Sequence, residues 1–217
     1  MYVSDLIAIV LSVGIVGGYH ALLRSRVKKN PAYTIQAVLN QGRYAWVERV
    51  IREKEGILAV QTLRNAIMGA TFFASTAVLL LVGTLTLTGQ ADKLSQSWHA
   101  LNPFVAIDER MWLVKLLFLL LDLLSAFVFF SQAIRLMSHV GMMLSVPSGS
   151  VAPSFVAGLL IQAGRYHTKG MRCYYFAAPL LFWLFGPILF VLASCGLVMA
   201  LYYLDKSPTS AMPTNPD

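Results

Sequence analysis

Residues 56–88 read GILAVQTLRNAIMGATFFASTAVLLLVGTLTLT, and beyond Arg64 no charged residue occurs until Asp92. At ~1.5 Å of rise per residue, that uncharged run crosses a hydrocarbon layer of ~30 Å as one helix. The chain is therefore a membrane protein. The unusual feature is the polar opening of this helix, where Gln61, Thr62, Arg64 and Asn65 precede the apolar part.

Working outward, the pattern gives four apolar blocks, residues 6–23, 66–87, 111–135 and 174–204, each long enough to span. The expected fold is all-α, a four-helix integral membrane bundle forming a single domain over 1–205. The remaining residues 206–217 hold three prolines among small polar residues and are expected to be disordered. Charged residues make up 12% of the 217, about half the share in ordinary soluble domains. The first block has Asp5 and no Lys or Arg ahead of it, so it reads as an uncleaved anchor rather than a signal peptide.

The net charge of +7 is concentrated, with 9 of the 17 Lys and Arg lying between the first two blocks. Charge placed there orients helices and attracts anionic lipid head groups; without a recognition module it gives no case for nucleic acid. The connection after the third block carries Arg135, Arg165, Lys169 and Arg172 without an acidic residue. The positive-inside rule then puts the first and third connections in the cytoplasm and both termini outside, in the periplasm, for a protein of the cell inner membrane.

Two amphipathic helices are expected in the cytoplasmic interface. One covers about 31–54, capped by Asn30-Pro31, with Ile35, Val38, Leu39, Trp46 and Val50 at helical spacing. The same pattern also fits a cytosolic helix packed on the bundle. The second covers about 153–169, after the breaker SGSVAP and before Gly170. The outer connection, with Trp98, Pro103 and Phe104, reads as a loop folded back on the membrane surface.

On a helical wheel, Lys115, Asp122, Ser125, Gln132, Arg135 and His139 fall within about 140° of one another. Ionisable groups at membrane depth cost several kcal/mol unless paired or wetted, so the stripe must face protein or a water path. Lys115, Asp122 and Gln132 are candidates for a proton or cation path. The plain alternative is that Asp122 is satisfied by a hydroxyl or by Lys115 reaching inward. At the inner end, His20, Gln61, Arg64, Asn65, Arg135 and His139 are candidates for binding an anion, a lipid head group or a partner, or for simply gluing helices together.

Nothing resembling HxxxH or HExxH brings histidines together, so neither metal nor any other cofactor is expected. Cys173 and Cys195 have no ligand or redox spacing and read as packing residues. Gly14 with Gly18, and Ala66, Ala70 and Ala74, are small-residue ridges suited to close helix approach. Pro179 and Pro187 should bend the last block. No hydrolase, phosphate-loop or dinucleotide signature occurs, so the chain is not expected to be an enzyme.

Several strings, LAVQTLRNAIMGATFFASTAVLL, GYH at Gly18–His20, IRLMSHVGMMLSVP and YYFAAPLLFWLFGP, resemble the signature of integral membrane proteins catalogued as domain of unknown function 599. The resemblance runs from about Leu6 to Leu204 and implies a four-helix bacterial-type membrane protein with plant relatives and no established activity. It covers His20, Gln61, Arg64, Asn65, Arg135 and His139, but not Asp122. The functional expectation is a non-catalytic accessory, assembly or scaffold subunit, self-associating as a homo-oligomer or packing on a membrane-protein partner. The alternative is a small transporter or channel component using Asp122 and the inner cluster. A lipid- or quinone-binding enzyme is third.

Overall fold

A computed structural model describes residues 2–29, 33–90, 109–146 and 151–205. They form six helices: α1 (Tyr2–Lys29), α2 (Ile35–Glu53), α3 (Gly56–Thr88), α4 (Glu109–Leu144), α5 (Pro153–Phe185) and α6 (Pro187–Asp205). Four stretches, Val3–Lys29, Gly56–Thr88, Arg110–Leu144 and Pro187–Asp205, are long and apolar enough to cross a membrane. The all-α architecture with four helices long and apolar enough to span, read from the sequence, is the one observed.

Local chemistry sets the boundaries. α2 ends where Lys54 enters the left-handed region at φ 57°, its N–H donating to the Val50 carbonyl, and α3 starts two residues later. α5 begins with Pro153 in the first turn, where its missing N–H costs nothing. Within α3, the hydroxyls of Thr62, Thr71, Thr76, Thr84, Thr86 and Thr88 each donate to the carbonyl four residues back. The helix thereby satisfies its own polar groups in an apolar layer.

α3, α4 and α5 form the central trio, α4 running antiparallel to both others. A Cβ added to Gly141 of α4 would lie 3.8 Å from Leu63 Cδ1 of α3. Further along, Ala70, Ala74 and Ala77 pack on Ala126 and Phe130, and Leu81 packs against Leu119 and Leu123. The small alanines let α3 approach the Phe130 ring, so this ridge is used inside the chain rather than between chains. Across the other seam, a Cβ on Gly170 would meet Phe130 ring atoms at 2.9 Å. Gly170 is therefore an interior position of α5, where close packing excludes a side chain, and not the end of a short helix.

The two segments expected at the interface both pack against the bundle. α2 runs alongside α5, from Gln36, which donates to the Thr168 hydroxyl, to Val47, buried with Leu63, Val140, Val156 and Ala157. This matches the packed-helix alternative, and the reason is a buried apolar face on Val47 and Val50. The 153–169 segment is continuous with residues 170–185 as one helix.

The block 174–204 does not form one kinked helix. Gly186, at φ 147°, reverses the chain between α5 and α6. Stacked rings of Trp183 and Phe190, centroids 5.0 Å apart, flank the reversal, and Arg172 reaches Asp205 at 3.0 Å. An unbroken helix would hold residues 33 positions apart about 50 Å from each other. α1 lies beside α6 in the same direction: Ala8 packs with Phe190, and Tyr19 bonds to Asp205. The first turn of α1 and the last turn of α6 thus lie at opposite ends of the bundle. The Asn30-Pro31 cap, the folded-back outer loop with Trp98, Pro103 and Phe104, and the disordered tail at 206–217 lie outside the described residues.

Candidate functional site

Polar side chains within the layer form two ion-paired locks with a cleft between them. At the end of the bundle where α1 begins, Asp5 is buried, accepts a hydrogen bond of 2.8 Å from the Trp183 indole and pairs with Lys115 of α4 at 3.1 Å. The Lys115 ammonium also lies 5.4 Å from the centre of the Trp183 ring. Burying this ion pair is tolerable because each charge has a partner. Lys115 therefore belongs to a closed triad with Asp5 and Trp183, and it does not neutralise Asp122.

At the other end of α1, Asp205 accepts from the Tyr19 hydroxyl at 2.8 Å and from Arg172 at 3.0 Å, while Arg172 also contacts His20 Nε2 at 3.2 Å. His20 stacks on Phe176. This ties the ends of α1 and α6 to the middle of α5. His20, one of the inner-end candidates, has Arg172 and Phe176 as its partners.

Between the locks, a cleft of about 500 Å³ opens among α1, α4, α5 and α6. Ser12, Asp122, Ser125 and Ser194 supply its polar groups, and Phe118, Phe176, Leu180 and Phe190 much of its apolar wall. The hydroxyls of Ser125 and Ser194 are spent on the carbonyls of Leu121 and Phe190. Ser12 Oγ and Asp122 Oδ2 are buried without a hydrogen-bond partner. The Cys173 thiol hydrogen-bonds to the Asp122 carboxyl, leaving Oδ2 as its unpartnered oxygen. Buried polar atoms are rarely left unpaired, and two in one cavity mark a place that a ligand's donors would complete.

The polar stripe on α4 is thus divided rather than continuous. Lys115 is sealed in the triad with Asp5 and Trp183, Asp122 and Ser125 face the cleft, and Gln132 is half-buried further along without a hydrogen bond among the described residues. Among the described residues, no hydrogen bond or ion pair joins Gln61, Arg64, Asn65, Arg135 or His139 to one another. Gln61, Arg64, Asn65 and Arg135 are exposed and His139 is half-buried. Gln61 and Arg64 border two different grooves at the inner end of α3.

Below the layer, Arg43 of α2 bonds to Asn40 at 2.9 Å, its guanidinium lying on the backbone of Gly164. Burial pushes the Arg43 guanidinium below its ordinary pKa. His167 is packed edge-on against Phe73 and Phe130. The described residues contain no group of three His, Cys, Asp or Glu able to hold a metal.

Asp5, Ser12, Tyr19, Arg172, Ser194 and Asp205 are site residues that the sequence reading left out. A signal existed for Asp5, Arg172 and Asp205, which are charged residues bordering apolar blocks. The two serines carry none, because a lone hydroxyl in an apolar run ordinarily bonds its own helix.

The profile of a family described as "Protein of unknown function, DUF599" matches residues 7–209. No curated protein and no solved structure matches the chain.

Proposed function

The chain belongs to the DUF599 family, whose function is unknown, and from its own geometry we propose that it is a small membrane transport component that takes a cation or a proton at Asp122. One observation carries this reading: Asp122 Oδ2 and Ser12 Oγ, both buried and without partners, line one cleft deep in the layer. An acid in that position serves a passing cation or proton better than it serves stability.

The reading takes the basic end of the bundle as cytoplasmic in a cell inner membrane, following the distribution of Lys and Arg. It assigns no catalysis to the chain. Purified protein in liposomes should carry a proton or monovalent-cation flux that Asp122→Asn reduces at least tenfold. Unchanged flux removes the reading.

The accessory or scaffold role draws on a different observation. A Cβ on Gly14, Gly17 or Gly18 would meet nothing within 4 Å, so the glycine ridge of α1 has no close partner among the described residues. A second copy or another membrane protein fits a ridge of that kind. Under that reading Gly14→Leu changes the oligomeric state in mild detergent, whereas Asp122→Asn does not.

A further inference from the structure

We infer that the cleft at Asp122 is a binding site for an organic ammonium ion with an apolar or aromatic body. This rests on the proposed transport reading and names its substrate class. The walls decide between the possible cations. A bare metal cation asks for six or more oxygens, whereas the polar side chains lining this cleft, Ser12, Asp122, Ser125 and Ser194, hold five between them. A proton alone needs no chamber, yet the cleft measures about 500 Å³, within the ~300–1,000 Å³ of small-molecule sites.

An ammonium N–H fits both unpartnered atoms. It donates to Asp122 Oδ2, which only accepts when ionised, and to the lone pairs of Ser12 Oγ. The Phe118, Phe176 and Phe190 side chains provide the apolar wall for the body of such a ligand, and aromatic faces also attract cations. No other charged residue lines the cleft. The nearest described cation on the same helix, Lys115, is committed to Asp5.

The test is equilibrium binding to the purified full chain in detergent, with 2-phenylethylamine against its neutral counterpart 2-phenylethanol. The amine should bind at least tenfold more tightly than the alcohol. Asp122→Asn should remove that preference while leaving the alcohol unchanged, and Ser12→Ala should weaken the amine several-fold. Val13→Trp fills the cleft from an exposed position on α1 and leaves the carboxylate intact; it should abolish binding of both probes.

Equal binding of amine and alcohol, or an amine preference that survives Asp122→Asn, overturns the inference. So does binding that Val13→Trp leaves unchanged. Amine binding without flux in liposomes would remove the transport reading and keep the site. Asp122-dependent cation flux without amine binding would do the reverse.

Discussion

At the scale of single residues, glycines of α5 show what a Cβ means in three different surroundings. Gly170 faces the Phe130 ring so closely that Gly170→Ala must displace an aromatic side chain packed among Ala70, Ala74 and Ala126. Alanine gains about 1 kcal/mol of helix propensity, but overpacking costs about 1–3 kcal/mol. Thermal unfolding in detergent should therefore show a net loss. Gly158 has nothing within 4 Å, and Gly158→Ala should stabilise by up to about 1 kcal/mol in the same assay. At Gly164 the obstacle is the far end of the Arg43 side chain, which can swing aside, so Gly164→Ala should fall between the two. None of this was legible in sequence, where Gly170 reads as a helix stop because glycine commonly follows helix ends.

At the scale of the element, α1 and α6 form a pair whose polar attachment to the central trio runs through the two locks. Lys115→Met would leave Asp5 buried without its cation, and breaking such a pair costs about 3–5 kcal/mol. The double change Asp5→Asn with Lys115→Met should recover most of that loss, since it removes both charges while keeping an acceptor for Trp183. Chemical or thermal unfolding of the three variants checks the ranking. Equal stability of the single and double variants would show that the pair contributes nothing. The sequence made Lys115 visible as a charge within an apolar block, but its partner lies 110 positions away, on a helix whose Asp5 reads as a mere flank. Helical spacing finds residues that share a face; it is silent on which other helix that face meets.

At the scale of the whole molecule, periodicity and hydropathy were enough for the four apolar helices, because each holds a long apolar window with few charges. They failed at Gly186 and along α2 for one physical reason. A tight reversal and a bundle-packed helix both depend on contacts between segments, and composition within a segment is unchanged by them. The same failure shifted the predicted site: Arg64 and Arg135 looked adjacent only on the premise that residues at one depth must touch. The reversal has a measurable outcome. Reporter domains fused ahead of Tyr2 and after Asp205 should be found on opposite sides of the membrane, and finding both on one side would contradict the α5–α6 hairpin.

That hairpin also bears on how the chain enters the membrane as it is made. The apolar part of α5, from Cys173 to Phe185, is only about 20 Å long at 1.5 Å per residue, short of the ~30 Å hydrocarbon core. It is preceded by Arg165, Lys169 and Arg172. Left alone on a nascent chain it would be a poor stop for the insertion machinery. With α6 following after one glycine, the two enter together, and the Arg172–Asp205 pair closes only once the final residues of α6 have been synthesised. Truncation just before Asp205 should therefore trap a late assembly intermediate rather than a slightly shorter native protein.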